Sequence, residues 1–421
     1  MMINLLTFNF YYSLEFWFWF AAIVILFRVS SVNLFMRNLV LMLCSIIMLL
    51  ALPRFGLSSL VFLVILSLLT FSIGRYLNRH KQNKYRHTRL IISAISICVI
   101  LLVLAFFKYS AIQAIYSERL LQRKFEPSDL IFIIGISYIS FKMMHFIIEA
   151  YKKQLSNNNL LNYLNYVFYF PSFISGPINR YNHFSDQLSV DLQTNLAGDL
   201  RVGLTRIIHG LFKKFVLCTL LYTHTNLYPE KSLLNLNWLT LFSGLYATSL
   251  YFYFDFSAYS DIAIGSSRIL GIELPENFNN PFLKKNLQQL WANWHISLTS
   301  WLTDYIYWPV SKKLRNIDYF KNHPVLLSNI SIIITFIVCG MWHGDSLNFV
   351  IWGLYHGIGL AVLKIYQTKK RAIKNKYIRK YFVSTYSQTI GALITFHYFV
   401  FGMLFFTFDI SKIIDILSRL V

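Results

Sequence analysis

Charge is what this chain has least of. Only 14% of its 421 residues are Asp, Glu, Lys or Arg, whereas a soluble domain carries about a quarter. The deficit is concentrated. Residues 39–52, 57–73, 90–107, 325–341 and 388–408 hold no Asp, Glu, Lys or Arg at all. Crossing a hydrocarbon core takes about 20 mostly apolar helical residues, and several of these runs reach that length with their flanks. The pattern excludes a soluble fold and predicts an all-α, polytopic membrane protein.

Cysteine is scarce too. Cys44, Cys98, Cys218 and Cys339 are scattered through or beside apolar runs with no CxxC spacing, which excludes a disulfide framework and a zinc knuckle. They read as small core residues. His145 and Glu149 stand four apart without an HExxH pattern, so no metal is expected. There is no P-loop and no GxSxG elbow. The soluble acyltransferase pattern of His, four residues, then Asp is also missing. Asp345 follows His343 by two residues, and Asp304 follows His295 by nine.

Acidic residues number 18 against 39 basic ones, a formal charge of +21. That excess could point to nucleic acid, but its placement argues against it. Arg75, Arg79, Lys81, Lys84, Arg86 and Arg89 cluster without an acid, directly after an apolar run. Lys364, Lys369, Lys370, Arg371, Lys374, Lys376, Arg379 and Lys380 form a second such cluster. Short basic loops between hydrophobic spans mark cytoplasmic connections, and a basic face also attracts acidic partners. The N-terminus lacks a basic n-region and carries Glu15 before Phe16-Trp17-Phe18-Trp19-Phe20. It is expected to be a retained first helix with an interfacial aromatic belt.

What is there is apolar and aromatic, 56% and 18% of the chain. Window reading gives about eleven hydrophobic segments. The early ones are Leu6–Phe27, Asn38–Leu52, Leu57–Ile73, Leu90–Phe107, Leu130–Ala150 and Leu160–Ile178. Then come Gly203–Tyr222, Trp238–Gly265, Val325–Met341, Leu347–Ile365 and Gln388–Phe408. With Arg75–Arg89 cytoplasmic, the N-terminus lies outside. Pro171 and Pro177 interrupt the sixth segment, and Lys213-Lys214 the seventh. Irregular backbone at membrane depth is tolerated only inside protein or beside a water-filled cavity. Phe170–Arg180 and Pro275–Trp308 are therefore expected to be re-entrant or cavity-lining. No internal repeat of the transporter kind is visible.

Few residues in such a chain can carry chemistry. An ionisable side chain near membrane depth is costly and marks function, which singles out His343 in Cys339-Gly340-Met341-Trp342-His343-Gly344. An imidazole there can take a proton from a hydroxyl near neutral pH, and Gly344 would allow close approach to a ligand. His295, in Trp294-His295-Ile296-Ser297-Leu298, reads as either a hydrogen-bonded core histidine or a catalyst. Around it Trp291, Trp294, Leu298 and Trp301 fall near helical spacing as an apolar stripe. His356, in Gly353-Leu354-Tyr355-His356-Gly357, is a competing candidate. Asp255 and Asp261 need partners in low dielectric. Arg268, seven beyond Asp261, is placed to serve one, and the pair reads as polar anchors for helix packing.

Taken as a set, these residues resemble the membrane-bound O-acyltransferase family, in its bacterial branch of D-alanyl transfer (DltB) and alginate acetylation (AlgI) proteins. The matching blocks are Gly135 to Lys142, Phe170 to Ile178, Tyr253 to Asp261, Pro275 to Asn279 with Pro281-Phe282, Trp294 to Leu298, Asp304-Tyr305, Gly340 to Gly344, and Tyr355-His356-Gly357. They run in family order from about 135 to 357. The resemblance implies one membrane domain over 1–421: peripheral helices to 130, core motifs over 131–360, then a basic cytoplasmic loop and last helix. It further implies a ring of helices around a thinned centre, with re-entrant helices and a tunnel joining the two faces.

On the same resemblance His343 maps onto the family's near-invariant histidine and His295 onto its second functional position. His356 aligns with a family block but not with a catalytic position. No bound cofactor is implied. The donor would be an acyl thioester, on an acyl carrier protein at the cytoplasmic face or on coenzyme A. The acceptor would be a hydroxyl of an extracytoplasmic polymer such as teichoic acid or a polysaccharide, or of an accessory transferase. Ser175-Gly176-Pro177-Ile178 and Met341 lean toward D-alanyl transfer, while Tyr259–Gly265 and Trp301–Pro309 lean toward acetylation. Thr303 stands where relatives often carry Arg. An exporter of acylated compounds and a non-catalytic scaffold remain as rival classes.

Overall fold

The computed structural model describes residues 10–30, 33–80, 83–119, 122, 131–156, 158–189, 195–222, 237–375, 377, 382 and 384–420. Residues 6–9 and 130 of two apolar runs, and Lys81, Lys376, Arg379 and Lys380 of the basic runs, lie outside them.

Each apolar run seeds a helix, and no strand occurs among the described residues. The first part of the chain forms α1 (Leu14–Val29), α2 (Leu34–Leu50), α3 (Leu57–Arg79), α4 (Arg86–Lys108), α5 (Ser110–Arg119) and α6 (Ile136–Tyr151). The middle forms α7 (Leu160–Phe168), α8 (Tyr181–Gln187), α9 (Leu196–Phe212), α10 (Trp238–Ile269), α11 (Leu287–Trp291) and α12 (Ile296–Leu302). The last part forms α13 (Trp308–Arg315), α14 (Asp318–Lys321), α15 (Pro324–His343), α16 (Leu347–Ala372), α17 (Thr385–Thr407) and α18 (Ile410–Leu420). Helices α3, α4, α15, α16 and α17 are long and apolar enough to cross a membrane. The most apolar stretch of α4 is only 22% buried inside the protein. A helix that is apolar all round yet uncovered is solvated by lipid.

Local chemistry sets the helix ends. The Ser13 hydroxyl accepts from the Phe16 amide, and Asn33 accepts from Phe35 and Met36, the usual relief of orphan N–H groups. Carbonyl ends are met by buried cations. Arg89 donates to the carbonyls of Ala150 and Tyr151 at the end of α6, and Arg37, fully buried, donates to Leu188 just past α8. A cation at a helix C-terminus also faces the negative end of its dipole.

The chain divides into two compact units, residues 2–211 with 258–275, and residues 212–257 with 276–421. In the first, the expected irregular segment after α7 is present: a 3-10 turn over Phe170–Ser172, then non-helical chain, with 170–179 entirely buried. Tyrosine hydroxyls take up its carbonyls. Tyr11 donates to Phe170 at 2.8 Å, Tyr259 to Pro171 at 3.3 Å and Tyr166 to Asn179 at 3.0 Å. Protein groups thus satisfy the backbone that lipid cannot.

Asp261 is anchored, but not by the expected partner. Arg206 of α9 holds it at 3.0 Å, while Arg268 pairs with Asp199 at 2.9 Å and with Glu273. Seven residues along one helix separate Asp261 from Arg268 by about 10 Å, whereas α9 lies directly against α10. A Cβ on Gly210 would come within 2.8 Å of the Ala258 carbonyl oxygen, and one on Gly265 within 2.6 Å of the Gly203 oxygen. Glycines let the two backbones touch, and the inter-helix cation reaches the carboxylate first.

Removing one member of a buried ion pair costs about 3–5 kcal/mol. The Arg206 side chain is 28% exposed, so we expect a loss nearer ~2 kcal/mol for Asp261→Ala. Thermal unfolding in detergent checks this, and adding Arg206→Ala should recover part of the loss. A melting temperature unchanged by Asp261→Ala would contradict it.

Candidate active site

The two candidate histidines, His295 and His343, both lie in the second unit. His295 is the N-cap of α12 and has φ +44° and ψ 53°, in the left-handed region. A non-glycine residue held there is strained, and such strain concentrates at functional sites. What holds it is visible. Asn277, fully buried, accepts the Ile296 amide on its carbonyl at 2.9 Å, and its side-chain oxygen accepts the Ser297 hydroxyl at 2.6 Å. The Asn279 amide bonds the Asn293 carbonyl at 3.1 Å, and Phe278 and Trp294 pair as an antiparallel bridge. The irregular strip before α11 therefore clamps the chain between α11 and α12.

This clamp corrects the expectation of one apolar helical stripe. Trp291 closes α11, whereas Leu298 and Trp301 belong to α12, with the break at 292–295. The side chains are still inside: Trp291, Leu298 and Trp301 are buried. The break turns the imidazole of His295 inward, where it is 5% exposed and meets Phe256 edge-on at 4.7 Å between ring centroids.

His343 is the last residue of α15 and is half-buried. Trp342 lies 4.8 Å from it, and Trp352 and Phe406 pack edge-on at 5.0 Å each. The same Trp342 ring lies 6.4 Å from His295. The structure thus brings the two histidines, distant in sequence, near one shared indole. At Gly344 the Phe349 ring fills the space where a side chain would stand.

The supporting residues include several whose partners the sequence did not show. The helix α9 continues through a π turn, Lys213–Cys218, a feature common at functional sites. Lys214 pairs there with Asp255 at 2.6 Å and Lys213 donates to Ser257 at 2.7 Å. Asp255 is therefore an anchor, as expected. A second π turn, Thr303–Tyr307, follows α12. Asn277 was legible only as part of a polar block, since its clamping depends on chain 20 residues away. His145 has a structural partner: its Nε2 accepts the Tyr181 amide at 3.0 Å.

Residues 60–406 match the profile of the MBOAT, membrane-bound O-acyltransferase family. The chain is 32% identical over 296 residues to the teichoic acid D-alanyltransferase of Bacillus subtilis, covering 67% of this chain and 70% of that protein. It is 30% identical over 275 residues to the probable alginate O-acetylase AlgI of Pseudomonas aeruginosa, covering 64% and 50%. A peptidoglycan O-acetyltransferase of Helicobacter pylori is 26% identical over 363 residues, covering 80% and 65%.

Glycine adopts the left-handed region without a Cβ penalty, which for other residues is roughly 1 kcal/mol. We expect His295→Gly to unfold at a higher temperature than His295→Ala. Equal melting temperatures would show that the turn carries no strain.

Proposed function

The chain belongs to the membrane-bound O-acyltransferase family, and from that premise we propose that it moves a D-alanyl group from a carrier-protein thioester to hydroxyls of a cell-surface polymer. It is a multi-pass membrane acyltransferase. The substrates and the roles of individual residues are our reading, and one observation carries it: the rings of His295 and His343 both lie near Trp342 within one compact unit.

The chemistry follows from where each imidazole stands. His343, half-buried at the open end of α15, takes the proton of the acceptor hydroxyl as its oxygen attacks the thioester carbonyl. The new C–O bond forms, the C–S bond breaks, and the proton passes to the departing thiolate. His295, buried and set by the Asn277 clamp, orients the acyl carbonyl and hydrogen-bonds the oxygen on which charge develops. The aromatic rings about both histidines keep water from hydrolysing the thioester. Acid–base assistance supplies about 10²–10⁴-fold, and holding both reactants in place supplies more.

The donor side has its own support. A cavity of about 500 Å³ is lined by Tyr307, Trp308, Arg315, Lys321 and Lys364. Lys364 opens the second basic run, which the positive-inside rule assigns to the cytoplasm. A positive, aromatic-walled recess on that face suits a phosphate-bearing thioester arm and an acidic carrier protein. The lipid bilayer would then be the bacterial cytoplasmic membrane, with the acceptor, teichoic acid or an accessory transferase, on its far side. Transfer of acetyl groups to a polysaccharide is the second reading, favoured by the similarity to alginate and peptidoglycan acetylases.

We expect His343→Ala to lower ester formation on the surface polymer about 10³-fold or more with membrane insertion unchanged, and His295→Ala to leave partial activity. Normal esterification by correctly inserted His343→Ala would refute the assignment. Offered separately, a D-alanyl carrier thioester should support transfer and acetyl-CoA should not. Transfer from acetyl-CoA alone would establish the second reading.

A further inference from the structure

His356 of α16 has no part in the chemistry above, yet among the described residues it is the most enclosed imidazole in its unit, with no exposed surface. Its ring lies 4.9 Å from Trp291 and 5.0 Å from Trp352, both steeply inclined, and 5.8 Å from Tyr398 and 6.0 Å from Phe399. Gly402 of α17 makes room for it: a Cβ there would come within 2.6 Å of the His356 Nε2. Among the described residues neither ring nitrogen has a hydrogen-bond partner. A satisfied core histidine does not look like this. Burial of an unpaired polar ring is unfavourable, and a polar group kept at membrane depth is by default functional.

Its neighbours say what it does. Trp291 closes α11, four residues before His295. Trp352 packs edge-on against His343 at 5.0 Å. A continuous line of ring contacts therefore runs from His343 through Trp352, His356 and Trp291 to the chain that turns at His295. Trp294, inside that turn, joins the same cluster through Phe399 at 4.7 Å. Edge-to-face contacts of this kind are directional, so the wedge fixes orientation as well as spacing. The five-membered ring suits the tight gap against Gly402.

We propose that His356 is a positioning residue, an aromatic wedge that sets the reacting imidazoles of His295 and His343 in register through Trp291 and Trp352. The proposal rests on the assignment of His343 and His295 to the reaction. It concerns geometry alone: His356 moves no proton and touches no substrate. Displacement of a reacting group by about 1 Å can cost 10²-fold in rate, so removal of the wedge should act on turnover.

The test uses the full chain in membrane vesicles, with a D-alanyl carrier thioester and a poly(glycerol phosphate) acceptor. His356→Ala should lower kcat about 30- to 100-fold, with donor KM within about twofold of the parent and the pH–rate profile at its original position. His356→Asn, which leaves a smaller void, covers the case in which alanine unfolds the bundle, and should lower kcat about 5- to 30-fold in the same manner. A loss confined to KM, a displaced pH profile, or unchanged kcat in the folded variants would overturn the proposal. His343→Ala run alongside separates the two readings. If it is inactive while the His356 variants are unimpaired, only the wedge fails. If it is active, the acid–base assignment fails first.

Discussion

The side chain and carbonyl of Asn277 hold the molecule's most consequential turn. By accepting the Ile296 amide and the Ser297 hydroxyl, this one buried residue starts α12 where a continuous helix would otherwise run on from α11. Everything near the candidate site inherits its direction from that decision: the left-handed His295, the inward imidazole and the place of Trp294 among the aromatic rings. A fully satisfied amide in low dielectric is strong and specific. Strain at His295 and satisfaction at Asn277 are two sides of one arrangement.

The same constraint governs the rest of the chain. Lipid offers no hydrogen bonds, so departures from helix are confined to places where protein supplies them. Tyrosine hydroxyls do this for residues 170–179 in the first unit, and Asn277 with the Phe278–Trp294 bridge does it in the second. Carboxylates are treated alike: Asp199, Asp255 and Asp261 each meet a cation from another stretch of chain. Close helix contacts then depend on residues without side chains, as at Gly203 and Gly265, or at Gly340 and Gly353 of α15 and α16, which face the Phe349 and Phe336 carbonyls.

Much of this could be read in advance. Uncharged runs such as Leu57–Ile73 and Val325–Met341 became α3 and α15 because length and apolarity alone decide a span. The prolines and asparagines of 275–281 correctly foretold irregular backbone. Tertiary partners were less accessible. Arg268 looked suited to Asp261 because it is near in sequence, but Arg206, 55 residues back, is nearer in space. The spacing of Trp291, Trp294, Leu298 and Trp301 fits one helix as well as two helices with a break, and periodicity cannot tell them apart. His356 stood in an apolar span with nothing to show that two tryptophans and a glycine would enclose it. The pairing of His295 with His343 came from resemblance, and in the fold both rings lie near Trp342.

The central claim is that acyl transfer takes place between these two imidazoles. Cryo-electron microscopy of the full chain with a non-hydrolysable acyl–pantetheine amide tests it most directly. The account predicts density for the acyl carbonyl beside Trp342, within hydrogen-bonding distance of His295 or His343. An acyl group resolved at a position remote from both rings would contradict it.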